Sequence, residues 1–333
     1  MQNYKTALIT GGAGFIGSHM SHKLVNNGYK LIIVDNLFRG SLNNIKDILT
    51  NDNNKFYNID LATNQSISEL KDLFIKYKPN LIIHYAAING TQYFYDEPTK
   101  VSTVNSISTY NVLEALKIAK KLTMLDPKFC FASTSETYGE PFNVPTDESD
   151  LTYARVLQDR DSYSAAKLMS EFYTRLYCKE LKVDFLILRI FNVYGPKMIG
   201  TKYGQVIPEF ISRILQGEYP LKILGKGNHT RSFCYIDDHI NLTFNLINSN
   251  CSNQIINLGN PIEISIIDLA SRVMNRMNLK PKFEFIEERE GDHLRRCPNI
   301  TKLLDYIGDY KFLTLEEGLD KTIEYYKKIN YDK

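Results

Sequence analysis

The sequence predicts a doubly wound α/β fold, a parallel sheet with helices on both faces, and a smaller C-terminal α/β domain. Strand-like apolar runs alternate with helical patterns as far as residue 190. A glycine-rich turn, Gly11-Gly-Ala-Gly14-Phe15-Ile16-Gly17, joins the first strand-like run to the first helical one. The second strand-like run ends on an acid, Asp35. Together these describe a sheet of the Rossmann type, which binds ligands at the carboxyl ends of its strands.

The elements follow in order. Residues 5–10 read as a buried strand, and the glycine turn leads into a helix near 17–27. Gly11 permits a tight turn, Gly14 permits close approach of a ligand, and Gly17 lets the helix pack on the sheet. The free N–H groups and positive end of that helix would face a pyrophosphate. Residues 30–35 form the next strand, and Asp35 at its end is placed to accept hydrogen bonds from an adenosine ribose. That carboxylate disfavours a 2′-phosphate, so NAD is expected over NADP, although Arg39 close behind leaves the alternative open. Further strands are expected at 55–59, 80–85, 128–133 and 184–190, with helices near 66–77, 98–120 and 162–181. Asp60-Leu61 and Tyr85-Ala86-Ala87 then fall at carboxyl ends of strands. After Asn192 the rhythm breaks at Gly195-Pro196, Tyr203-Gly-Gln-Val-Ile-Pro208 opens a new helix, and Ile255–Leu258 returns to the sheet. The expected division is residues 1–191 plus about 234–262 for a dinucleotide, and about 192–233 plus 263–330 for a second ligand.

Composition bounds the function. The chain has 333 residues, 43% apolar, and a formal charge of +2 with no basic run, so neither nucleic acid nor an anionic membrane is indicated as partner. No apolar stretch reaches spanning length, and the N-terminus lacks the pattern of a signal peptide. Five dispersed cysteines, none paired at metal spacing, read as reduced thiols in a cytoplasm. The six histidines form no cluster either, so no metal is expected. His84 reads as a packed or hydrogen-bonded strand end.

The chemistry is carried by Tyr163-Ser-Ala-Ala-Lys167, about thirty residues after Ser133-Thr134-Ser-Glu136. Four residues apart on a helix, Tyr163 and Lys167 share one face. A free tyrosine titrates near pH ~10 and is a poor base at neutrality. An ammonium nearby lowers that by roughly 1–3 units, and an oxidised nicotinamide adds a second positive charge. The pair suits removal of a hydroxyl proton while the adjoining carbon gives up a hydride.

Thr10 to Gly17, Asp35, Ser133 to Glu136, Tyr163 with Lys167, and Arg189-Ile-Phe-Asn-Val-Tyr-Gly-Pro196 together resemble the extended short-chain dehydrogenase/reductases that modify nucleotide sugars. The resemblance runs from Thr6 to about Tyr326 and takes in Gly225–Phe233 and Gly291–Arg296. It implies NAD held by Gly11, Gly14, Phe15, Ile16, Gly17, Asp35, Asn36, Asp60, Leu61, Ala86, Ala87, Asn105, Tyr163 and Lys167. It also implies Thr134 on the sugar O4, Tyr163 as base, and Asn192, Gln205, Val206, Arg231 and Arg296 on the nucleotide diphosphate sugar. A homodimer in a cytoplasm follows as in the family. Apolar residues on more than one helical stripe agree with it: Tyr110, Val112, Leu113 and Leu116, then Phe172, Leu176 and Tyr177.

The common first step is oxidation at C4 to a 4-ketosugar. Glu136 argues against simple epimerisation, which needs no carboxylate beside the other ring carbons. Val34–Gly40, Phe191–Met198 with Gly204-Gln-Val206, and Asn257–Pro261 look most like UDP-glucuronate decarboxylases. The segments 154–160 and 88–91 depart from that pattern. A 4,6-dehydratase of GDP- or UDP-hexoses and a 4-epimerase remain as alternatives. The intact Tyr163/Lys167 pair argues against a non-enzymatic NAD-binding scaffold.

Overall fold

Most of the N-terminal strands are too apolar to expose either face, and they pair in parallel with helices covering both sides. The computed structural model describes residues 5–201, 204–287 and 293–331. Its strands include β1 (Thr6–Thr10), β2 (Lys30–Asp35), β3 (Lys55–Asn58), β4 (Leu81–His84), β5 (Lys128–Thr134) and β6 (Phe185–Ile190). The intervening helices are α1 (Phe15–Asn26), α2 (Gln65–Tyr77), α3 (Thr91–Asp96), α4 (Pro98–Leu122) and α5 (Ser162–Leu181). A later strand, Gln254–Leu258, pairs with β6 and completes a seven-stranded sheet in the order Gln254–Leu258, β6, β5, β4, β1, β2, β3. Ile9 sits in register with Ile33 on one side and Ile83 on the other.

The strand order reverses between β1 and β4, and a crevice opens there at the carboxyl ends. Thr10 and His84 meet at this point: Thr10 Oγ1 lies 2.7 Å from His84 Nδ1, and His84 Nε2 lies 3.1 Å from Thr109. Burial, with Lys167 adding to it, pushes the His84 imidazole down to about 3, so the ring is neutral. It is a hydrogen-bonded strand end.

Each sheet face has its own core. Leu70, Phe74, Val112, Leu116 and Ile187 pack on the face covered by α2, α4 and α5. Met20, Leu24, Ile33, Leu188 and Leu246 fill the other. A fully buried leucine of this kind contributes roughly 1.5–3 kcal/mol. Pro98 occupies the first turn of α4, where its missing N–H leaves no intrahelical bond unmade.

After β6 the chain enters the second lobe. The helix α6 (Val206–Leu215) is followed by strand Leu221–Leu224, which pairs in parallel with Phe283–Ile286. Thr230–Ser232 lies between Glu263–Ser265 and Arg295–Arg296 in a three-stranded sheet. The helix Ile236–Asn248 returns the chain to the main sheet. Asn257 is the knot at this return: its Oδ1 accepts from Tyr138, its Nδ2 donates to the Thr146 and Asn299 carbonyls, and its N–H donates to Glu148. The short helix α3, which breaks the connection between β4 and α4, is absent from the sequence reading. It is a single turn and a half following Gly90 at φ 142, too short to show a period. Tyr203, Gly291 and Asp292 lie outside the described residues.

Candidate active site

The glycine turn is shaped by contact with its surroundings. Gly11 has φ +68, and a side chain there would strike the Ala86 backbone at 2.8 Å. A side chain at Gly17 would run into the Gly11 carbonyl. A side chain at Gly14 would meet protein only at the Gly11 carbonyl, 3.2 Å away, so the space beyond it belongs to the crevice. No side chain caps α1 at Gly14. Its first turn thus offers backbone donors to an anion.

Asp35 accepts from the Ala13 N–H at 3.0 Å and the Leu37 N–H at 2.8 Å. Burial pushes its carboxyl above the ordinary value, against the pull of those backbone donors. One continuous cleft is lined by Gly11, Gly14, Phe15, Ile16, Gly17, Asp35, Asn36, Asp60, Leu61, Ala86 and Ala87 at one end. It continues past Thr134, Glu136, Tyr163 and Lys167 to Asn192, Gln205, Val206 and Arg231. The uncapped helix end, the glycine opening and the cleft-lining acid fit a dinucleotide. Asn105 stands behind the cleft: its amide accepts from the Ile88 N–H at 2.8 Å and donates to the Ile88 carbonyl at 3.0 Å. Both ends of the side chain are occupied in holding that loop, so Asn105 shapes the wall instead of lining it.

Tyr163 and Lys167 stand on one face of α5. The Tyr163 ring stacks on Phe94 of α3, with centroids 4.7 Å apart and planes at 11°. Lys167 Nζ lies 5.9 Å from the Tyr163 ring centre and donates to the Ala132 carbonyl at 2.8 Å. Burial brings the Lys167 ammonium down to about 7, with Glu171 pulling upward. The phenol of Tyr163 is pushed above its ordinary value. Burial is the largest cause and the Glu136 carboxylate adds to it, against the Thr134 hydroxyl and the Arg39 guanidinium. The lowering expected from Lys167 is not seen among the protein's own groups, where desolvation prevails. Beneath the pair, Ser133 donates to Glu171 at 2.5 Å, and Arg189 grips the same carboxylate through Nε and Nη2 at 3.0 and 2.9 Å. This buried network fixes the end of β5, where the Thr134 hydroxyl accepts the Glu136 N–H at 3.2 Å and starts the turn Ser135–Tyr138.

Glu136 is the most heavily compensated group in the cleft. Arg160 Nη1 donates to it at 2.8 Å, Arg296 Nη1 makes a close ion pair, and His293 Nε2 lies 3.6 Å away. Burial favours the neutral acid, but the attraction of Arg160, Arg296 and His293 prevails and holds its carboxyl well below the usual range. This corrects the expectation for Arg296. It is 2% exposed, its Nη2 donates to the Gly139 carbonyl at 3.2 Å, and it is not among the residues lining the cleft. The Glu136 carboxylate draws it inward, while neighbouring Arg295 pairs with Glu263 at the surface. Arg231 does line the cleft, its Nη1 donating to the Thr230 carbonyl at 2.8 Å. Sequence reading missed Arg160 and His293; the available signal was a cation three residues before Tyr163.

A buried Tyr/Lys pair, a cleft that fits a dinucleotide and a second lobe with cations facing it fit an NAD-dependent nucleotide-sugar enzyme. Comparison with known proteins agrees. The chain belongs to the NAD dependent epimerase/dehydratase family, which matches residues 7–259. It is 35% identical over 324 residues to UDP-glucuronic acid decarboxylase 1 of Xenopus tropicalis, covering 97% of this chain and 72% of that protein. It is also similar to a UDP-glucose 4-epimerase of Thermotoga maritima solved with UDP-glucose, at a TM-score of 0.87 and 29% identity over 98% of this chain and 99% of that one. A UDP-glucuronic acid 4-epimerase of Bacillus cereus, solved with UDP-glucuronic acid and NAD, gives a TM-score of 0.84 and 27% identity over 97% and 99% of the two chains.

Proposed function

We propose that the chain is a UDP-glucuronate decarboxylase-like enzyme that oxidises the sugar at C4 and then releases carbon dioxide. NAD held in this cleft would supply the hydride acceptor for C4. Gly11 to Gly17 would cradle its pyrophosphate and Asp35 its ribose. Thr134 would hold the sugar O4, Tyr163 would take the O4 proton, and Lys167 would support it. Asn192, Gln205, Val206 and Arg231 would hold the nucleotide diphosphate. The 4-keto uronate is a β-keto acid, so the C5–C6 bond can break with its electron pair passing into an enolate across C5 and C4. C5 would then take up a proton, and Tyr163 would give its proton back to O4 as C4 is reduced again.

The observation that carries this reading is the clamp on Glu136. A 4,6-dehydratase needs a base for the C5 proton, and a carboxylate held by two guanidinium groups is a weak one. Decarboxylation needs no such base. Relatives at 35% and 31% identity are named UDP-glucuronic acid and UDP-N-acetyl-alpha-D-glucosaminuronate decarboxylases, and one at 32% a putative UDP-glucose 4-epimerase. Incubation with UDP-glucuronate should give a product lighter by carbon dioxide in mass spectrometry. Loss of water from a neutral UDP- or GDP-hexose, or an isobaric product, would replace the proposal with a dehydratase or an epimerase.

The same reading places the enzyme in the cytoplasm as a homodimer. Its five cysteines are all unpaired and buried. Among the described residues no helix is long and apolar enough to cross a membrane. Val112, Leu113 and Leu116 are spent on the sheet, but Tyr110, Met169, Phe172 and Leu176 are 39–55% exposed on the outer faces of α4 and α5. Such a stripe is what a helical interface would cover. Light scattering at micromolar concentration should read twice the chain mass, and a monomer would reject this interface.

A further inference from the structure

The loop after β2 does more than carry the ribose acid. Leu37 takes a left-handed conformation, φ 60, fixed by its N–H on Asp35. The Phe38 N–H donates to Asn36 at 3.0 Å, and the Ser41 N–H donates to the Ala13 carbonyl at 3.0 Å. A turn pinned at both ends throws Phe38 and Arg39 towards the segment that follows β4. There the Phe38 ring lies 5.9 Å from Tyr93 of α3, and Lys100 Nζ lies 4.6 Å from the Phe38 ring centre. The Arg39 guanidinium lies 5.3 Å from the centre of the Tyr93 ring. The next residue, Phe94, is the one stacked on Tyr163. Arg39 therefore turns to α3, which carries the ring stacked on Tyr163, in the cleft that it lines together with Tyr163. An arginine serving a 2′-phosphate would lie instead against the ribose at Asp35.

We propose that Arg39 is a positioning residue for the reaction, a second cation that supports the phenolate of Tyr163 from the cofactor loop. The proposal rests on Tyr163 being the base. The charged and titratable groups around that phenol are Lys167 on its own helix, Glu136 after β5 with Arg160 and Arg296 upon it, Tyr93 on α3, and Arg39. Neutral His84 faces Lys167 from β4. The Glu136 charge opposes the phenolate. Burial brings the Lys167 ammonium down to about 7, whereas a guanidinium keeps its charge at every working pH. Arg160 and Arg296 spend their charge on Glu136, so Arg39 is a guanidinium whose support of the phenolate does not fade as pH rises.

Arg39→Gln and Arg39→Lys, purified as full chains, test this through retained NAD and through single-turnover reduction of NAD by UDP-glucuronate across pH. A cation favours the charged phenolate, so its removal raises the Tyr163 pKa. The acid limb of Arg39→Gln should move up by about one pH unit, and reduction at neutral pH should slow roughly tenfold. Arg39→Lys should move the limb less, and both should retain NAD like the parent. An unmoved limb overturns the proposal, and NAD loss with an unmoved limb reassigns Arg39 to the cofactor phosphates. Tyr163→Phe separates the two levels of inference. If that variant is still active, the base has been misnamed; if it is inactive while the Arg39→Gln limb stays in place, only the role of Arg39 falls.

Discussion

Tyr163→Phe will bind the nucleotide sugar and lose at least ~10²-fold in turnover, the scale of a missing general base. The substitution removes one oxygen and little else. The ring keeps its stack on Phe94, and the site is 5% exposed, so the aromatic packing that positions α3 survives. Bound NAD should remain oxidised on adding substrate, because the C4 hydride cannot leave while O4 keeps its proton. Absorbance in the reduced-nicotinamide band reads this directly, and calorimetry with the substrate reads the retained binding. Near-normal turnover would mean that another group takes the proton.

The second large effect is on stability. Glu136→Gln leaves Arg160 and Arg296, 5% and 2% exposed, without their shared counter-charge. Breaking a buried ion pair from one side typically costs about 3–5 kcal/mol. Glu136 itself is one-fifth exposed, so roughly 2–4 kcal/mol is expected here. The sign against pH follows from the depressed carboxyl of Glu136. The native protein holds this stability above the ordinary carboxylate value and loses it as pH falls through the lowered one. Denaturant midpoints of the two proteins should therefore differ most near neutrality and converge in acid. A constant gap down to strongly acidic pH would show that the loss is one of packing and not of charge. In the same variant NAD should still be reduced by substrate, since Glu136 takes no part in C4 oxidation in the proposed sequence. A decarboxylase would then lose less in the following step than a dehydratase deprived of its C5 base. Failure to reduce NAD at all would place Glu136 in substrate binding or in the first proton transfer.

The parts legible from sequence are those fixed by short-range pattern. β1, β2, β4, β5 and β6 fall within a residue or so of their expected positions, because buried parallel strands are continuous apolar runs. The glycine turn and the Tyr163/Lys167 face are equally local. What stayed hidden depends on residues far apart in the chain. Arg296 and Glu136 are separated by the whole second lobe, and no local pattern tells a phosphate-binding arginine from one captured by a buried carboxylate. The upward push on Tyr163 likewise comes from burial, which the spacing of two residues does not reveal. Arg39 was visible as a charge beside Asp35, but its direction is set by Tyr93 on another element.

The sheet edge closed by Gln254–Leu258 has a consequence for biosynthesis. The N-terminal strands emerge first from the ribosome, yet the partner of β6 follows only after α6 and the first part of the second lobe have been made. At ~5–20 residues per second, β6 stands as an unpaired, apolar edge for several seconds. Its sequence, Phe185-Leu-Ile-Leu-Arg-Ile190, is what neighbouring nascent chains would pair with. Arg189, which is destined for Glu171, interrupts that run with a charge and serves as a gatekeeper until the strand is covered. The residue that braces the catalytic floor in the finished enzyme thereby also guards the unfinished chain.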